Sequence, residues 1–297
     1  MTWNRFTNWV GDHRRELLDL IRIYLGIGLV IKGIFYLQNP ALMGTAGAPG
    51  WIGTAAAWAP YIHIVGGLLL ALGVFTRLAA IVQMLVVFTA LFFVHLPKMG
   101  QSMQAREAVE FSALVLFLLA IIAVVGAGPL SVAERFGWRY DLAPDRFREW
   151  AHLHPDLFMD AIRIYLGLGL IIKGLYIMHN QDQFAQFLDG GNAMPLKILT
   201  VAHYVIPAHF AGGLMLLLGF GTRIAAVVQL PLLIGALLYV YFPRYSALEL
   251  RQDMEFTALV FFLLALIVVH GPGRYSVDYV VQRNYFAHHP EEAPARA

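Results

Sequence analysis

The 297-residue chain contains no cysteine, which excludes disulfides, thiol relays, iron–sulfur clusters ligated in cis and Cys-based zinc sites. Charge is almost as scarce. Only 13% of residues are Asp, Glu, Lys or Arg, against about 25% in a typical soluble domain. With 59% hydrophobic residues spread along the whole length, this composition excludes an ordinary soluble enzyme, disorder, collagen and coiled coil. The net charge of +2 is small and the basic residues form no run longer than Arg14-Arg15, so nucleic acid is not an expected partner. Phosphate-binding loops, dinucleotide fingerprints, Ser-centred elbows and HExxH are also missing.

What is present is a set of long uncharged runs. Residues 78–97, 111–133 and 224–243 lack Lys, Arg, Asp and Glu, and a membrane-spanning helix needs about 20 mostly apolar residues. The uncharged run 33–76 is too long for one helix and is broken by Asn39, Pro40 and the Gly/Ala/Pro run 44–50. These patterns predict an all-α polytopic membrane protein of eight helices, near 16–37, 60–76, 78–96, 105–127, 157–178, 203–221, 224–242 and 250–270. The second helix of each half is short. Before the first of them, 37–60 with Trp51 and Trp58 reads as an interfacial or re-entrant stretch.

The chain repeats itself. DLIRIYLGIGLVIKG at 19–33 recurs as DAIRIYLGLGLIIKG at 160–174, and His63, Gly66, Gly67, Gly73, Thr76 and Arg77 reappear in order as His209, Gly212, Gly213, Gly219, Thr222 and Arg223. Glu110-Phe111 returns as Glu255-Phe256. An internal duplication of four-helix units follows, with 1–130 as the first, 131–156 as a surface linker and 157–297 as the second. Four helices per half make the repeat parallel, related by an axis along the membrane normal. Fourteen basic residues fall on the N-terminal side of the expected spans and five on the other, which places both termini in the cytoplasm. No cleavable leader is expected at residues 1–15.

Ionisable residues inside the hydrocarbon are costly and normally face the bundle interior in pairs. Lys32 lies about 15 Å along its helix from Arg22, in the outer half of the membrane, and Glu110 and His63 fall in the same layer. The second half places Lys173, Glu255 and His209 alike. A Lys/Glu/His cluster is therefore expected in each half, with Lys32 beside Glu110 and Lys173 beside Glu255. It reads either as a buried ion pair that fixes packing or as a ligand or proton site. An inner cluster joins Asp19, Arg22 and Arg77, repeated as Asp160, Arg163 and Arg223, with a structural role or contact with anionic headgroups. The pairs Gly26/Gly33 and Gly66/Gly73 suit close helix contact.

Haem and metal are not expected, although there are 11 histidines. Within the first half only His63 and His95 could form a bis-histidine pair, and Tyr241 replaces His95 in the repeat. His203 and His209, six residues apart, do not share a helix face. His63 meeting His209 across the pseudo-twofold axis is the remaining bis-histidine geometry.

The run from QFLDG at 186–190 through HFAGGLMLLLGFGTR at 209–223, Glu255 and the ending GPGRYSVD at 271–278 resembles the DoxX/DoxD-like family of four-helix membrane proteins. Arg22/Arg163 and Gly33/Gly174 match that family's first helix, whereas Lys32/Lys173 stand in place of a histidine and His63/His209 in place of an acid. The first half ends in the shorter GAGPLS at 126–131. The resemblance covers both halves and implies a bacterial inner-membrane protein linked to quinone-dependent oxidoreductases, such as the small subunit of thiosulfate:quinone oxidoreductase. On that basis the chain binds quinone or anchors a redox partner in a larger complex. The alternatives are a carrier or lipid-binding protein without redox chemistry and a purely structural accessory.

A tag placed at Ala297 should be protected from proteases added to the periplasmic side; periplasmic accessibility overturns the orientation.

Overall fold

The computed structural model describes residues 13–138, 143–184, 201–244 and 250–289. The termini, Tyr140 of the linker, Lys197 and the run 186–190 lie outside the described residues. Among the described residues there are helices and no strands. Six helices are long and apolar enough to cross a membrane: α1 (Arg14–Gln38), α4 (Thr76–Lys98), α5 (Met103–Val125), α8 (Pro155–His179), α10 (Thr222–Arg244) and α11 (Arg251–His270). At 1.5 Å per residue their 20–25 residues reach about 30–38 Å, enough for the hydrocarbon core.

The short second helices account for the difference from eight. In the first half, α2 (Gly50–Ala56) and α3 (Ala59–Leu72) meet at a bend of 45° and together pass as one broken span or a re-entrant loop. In the second half, α9 (His203–Leu218) is apolar but shorter. A 3-10 helix at Pro40–Met43 and three further α-helices complete the described chain: α6 (Val132–Arg135), α7 (Asp145–Leu153) and α12 (Val277–His288). Large apolar side chains such as Ile27, Val65, Leu85 and Ile224 are about half-exposed or more, as a lipid-facing surface requires and a water-facing one would not tolerate in such number.

Prolines shape the helix ends. Pro97 and Pro243 lack an N–H and crowd the carbonyl four residues back. α4 accordingly widens to a π turn at Leu91–His95 and tightens at Leu96–Lys98. α10 does the same at Ala236–Tyr241 and Phe242–Arg244. In α9, π turns flank Pro207, and His209 sits in the second of them.

The chain divides into two compact units, Arg15–Pro155 with Tyr245–Phe256, and Asp156–Arg244 with Thr257–Ala297 and Met1–Arg14. α11 belongs to both, its opening residues to the first-repeat unit. Within that unit α1 and α3 approach backbone to backbone. A Cβ on Gly26 would stand 2.7 Å from the Gly67 carbonyl, and one on Gly33 2.6 Å from that of Pro60. The second unit repeats this with Gly167 and Gly213. Gly73 differs from these: it ends α3 in the left-handed region at φ 72, where Cβ-bearing residues are strained.

The same buried motif closes the end of each unit at which the short second helix stops. Arg22, 1% exposed, donates Nη1 to the carbonyls of Leu70 and Ala71 at the end of α3 and Nε to Asp19 at 2.9 Å. Asp19 in turn accepts from the amide of Leu130 at 2.7 Å. In the second unit Arg163 holds Leu216 and Leu217, and Asp160 accepts from Tyr275 at 2.9 Å. The last carbonyls of a helix have no partner within it, and a cation there also favours the dipole.

Removing one partner of a buried, hydrogen-bonded ion pair costs about 3–5 kcal/mol. Arg163→Gln and Arg22→Gln should therefore each lower the melting temperature in detergent sharply, whereas Arg15→Gln, at a partly exposed position, should not. Equal small shifts for all three would contradict this role.

Candidate functional site

The layer of the first-repeat unit expected on the outer side is built around Lys32 on α1. Its Nζ donates to Glu255 Oε2 at 2.8 Å, and the two side chains remain 15% and 21% exposed. The expected partner was Glu110; the ion pair is instead with the corresponding glutamate of the second repeat, delivered by the opening residues of α11. Glu110 accepts from Arg106 at 2.9 Å, one helical turn away. Helical rise puts both glutamates at one depth, and depth alone does not choose between them.

Aromatic rings enclose the pair. Lys32 Nζ is 5.5 Å from the Tyr36 ring and 5.4 Å from that of Phe111, within cation–π range. Phe111 packs on Phe256 at 5.9 Å between centroids, and the Arg251 guanidinium covers Phe35 at 4.4 Å. Tyr24 and Asp253 lie within the electrostatic reach of Glu255 and Lys32 respectively.

His63 joins this group through Tyr36, whose ring is 6.0 Å from the imidazole. Its Nδ1 lies 2.7 Å from Gln83 Oε1, while Gln83 Nε2 donates to the Ile62 carbonyl at 2.7 Å. With the amide fixed by that carbonyl, Oε1 is an acceptor, so His63 Nδ1 carries the proton and Nε2 keeps its lone pair. Gln83 is fully buried and was not among the expected site residues. The signal was present, as an amide alone in an uncharged run and repeated as Gln229.

The second repeat arranges the equivalent groups differently. His209 turns its Nδ1 to the Val205 carbonyl at 2.9 Å, across the π-helical region of α9. Gln229 Nε2 still donates to a backbone carbonyl, that of Ala208, but its buried Oε1 has no hydrogen-bond partner among the described residues. Lys173 is half-buried on α8, one residue before Gly174, whose missing Cβ would meet His209.

The inner residues go to helix ends. Besides Arg22 and Arg163, Arg77 donates to Val125 O at 3.2 Å, and Arg223 to Val268 O at 3.0 Å and Val269 O at 3.3 Å, closing α5 and α11 in the same manner. Sequence reasoning also missed Asp156, 5% exposed, which binds Arg14 and Arg274 and lies 3.5 Å from His270. Among the described residues no group of three or more His, Asp or Glu side chains is arranged to hold a metal ion.

Glu255→Gln leaves the Lys32 ammonium poorly compensated and should lower thermal stability, and Lys32→Met on that background should restore much of the loss. The expected coupling is about 0.5–3 kcal/mol, toward the low end because the pair is partly exposed. Additive effects in the double-mutant cycle would show that the pair does not interact.

Comparison with known proteins gives the family. The DoxX family model matches residues 17–96 and 158–242, which together exceed half of the chain and fall one in each repeat. No curated protein and no solved structure matches. The chain is therefore a member of the DoxX family of membrane proteins that carries the family's unit twice.

Proposed function

We propose that this protein is the integral membrane subunit of a quinone-linked oxidoreductase system in a bacterial inner membrane. In this reading the chain crosses the bilayer eight times, as two parallel four-helix units with both termini cytoplasmic. α3 and α9 are the short crossings, and 131–156 runs along the cytoplasmic surface.

The observation that carries the functional reading is the Lys32–Glu255 pair: an ionised donor and acceptor, partly accessible, within an apolar layer lined by aromatic rings. A quinone supplies two-electron, two-proton redox chemistry when bound. The residues fit such a group. An ammonium offers three donors, of which Glu255 takes one, so Lys32 has the capacity to hydrogen-bond a carbonyl oxygen as well. Phe111 and Tyr36 offer ring faces for a planar headgroup. Glu255 accepts and returns protons at the site's edge, and His63 Nε2 is a second base nearby. Electrons come from a protein partner, since a cysteine-free chain carries no Cys-ligated cluster of its own. In the second repeat Lys173 and His209 are the corresponding candidates.

The purified protein, extracted with organic solvent and scanned between oxidised and reduced forms, should yield about one quinone per chain, and Lys32→Met should reduce that content at least severalfold. Phospholipid alone in the extract would favour a lipid-binding carrier, and no bound molecule a structural accessory.

A further inference from the structure

At the corner where the last loop of each repeat meets the start of its third helix, the second repeat has an acidic side chain that the first lacks. In the second unit Ser276 caps α12 by accepting from Tyr279, and Asp278 reaches back to the start of α10. Its carboxylate accepts from the amides of Gly221 at 2.9 Å and Thr222 at 3.1 Å and from the Thr222 hydroxyl at 3.2 Å. The first amides of a helix lack intrahelical partners and attract negative charge, so one carboxylate satisfies three donors.

The first unit reproduces the corner without the acid. Ser131 caps α6 through Glu134 as Ser276 caps α12, and Asp19 holds the Leu130 amide as Asp160 holds that of Tyr275. Counting on from these, Ala133 stands at the place of Asp278, and Phe75 and Thr76 at those of Gly221 and Thr222. Thr76 is 4% exposed, and its Oγ1 has no hydrogen-bond partner among the described residues. A buried hydroxyl in that state loses its hydrogen bonds to water without replacement. Thr76, Ala133 and Arg77 line a cavity of about 620 Å³ between the start of α4 and helix α7. Arg77 is buried beneath it and stacks on Phe147 at 5.4 Å.

We propose that the N-terminus of α4 is a binding site for an oxyanion, a phosphate or carboxylate group on a small solute or a lipid headgroup, which takes the position that Asp278 fills internally in the second repeat. The Thr76 hydroxyl donates to it, and Arg77 supplies the balancing charge. Three acids also line the cavity, Glu134, Asp145 and Glu149, but all are exposed, and Arg148 engages Asp145. The buried wall is the cationic one. His152 on that wall is held below the usual histidine range by burial and then by Arg15, Arg77 and Arg148, with Glu134 opposing them. It is therefore neutral near pH 7 and adds no charge of its own.

The test uses the full chain in uncharged detergent and in nanodiscs, with inorganic phosphate and phosphatidylglycerol as probes. Phosphate should raise the wild-type melting temperature beyond sodium chloride of equal ionic strength. Ala133→Asp should abolish that response and by itself raise the melting temperature by about 2–4 °C, as a restored cap does. Thr76→Val, which keeps the side-chain shape, should weaken half-saturation by phosphate about five- to tenfold and keeps the proposal testable if Ala133→Asp does not fold. A lipid source gives a different pattern: no response to phosphate, but phosphatidylglycerol retained over phosphatidylcholine in native mass spectra of the wild type and lost in both variants. No response to either probe, or the same response in wild type and both variants, overturns the proposal.

Discussion

A carbonyl without a donor inside hydrocarbon costs several kcal/mol, and this fold ends helices where water cannot reach them. The answer is a buried guanidinium. Arg22 and Arg163 each hold the final carbonyls of a short helix, and each is neutralised by the aspartate one turn earlier on its own helix. That aspartate also grips a backbone amide of the loop after the fourth helix. Three chain segments are thus tied at one point in each unit. Gly128 and Gly273 adjoin it because a Cβ at either would collide with the Asp19 or Asp160 carboxylate.

The outer layer obeys the same electrostatic rule with a different outcome. Lys32 and Glu255 are neutralised by one another, yet both remain partly accessible and are surrounded by rings rather than by helix carbonyls. The guanidinium groups of Arg22 and Arg163 are turned to helix carbonyls and an aspartate, while Lys32 faces aromatic rings and retains hydrogen-bonding capacity. That contrast is why chemistry is assigned to the outer layer.

Much of this was legible before any coordinates. Uncharged runs located the long helices, the duplication gave the order of elements, and the shortness of 60–76 and 203–221 anticipated the two helices that do not pass as full spans. Asp19 and Arg22 were readable as neighbours because three residues make almost one helical turn. The partner of Lys32 was not readable, because hydropathy and helical rise give depth and no azimuth, and two copies of the same glutamate share that depth. Gln83 was hidden for another reason: an uncharged amide barely alters a hydropathy average, and only its recurrence as Gln229 marks it. The Asp278/Ala133 difference was visible in GPGRYSVD against GAGPLSVA, but its meaning depends on the folded-back contact with Thr222.

The Lys32–Glu255 pair also orders events during biogenesis. Its two members lie 223 residues apart in the chain, and ribosomes add roughly 5–20 residues per second. α1 therefore waits roughly 10–45 s for its counter-ion. Until then the ammonium lacks the carboxylate that neutralises it, and an unpaired charge at that depth is costly. A gene split between the repeats would leave that debt unsettled unless the two products met in the membrane, which gives tandem fusion a kinetic advantage that neither repeat possesses by itself.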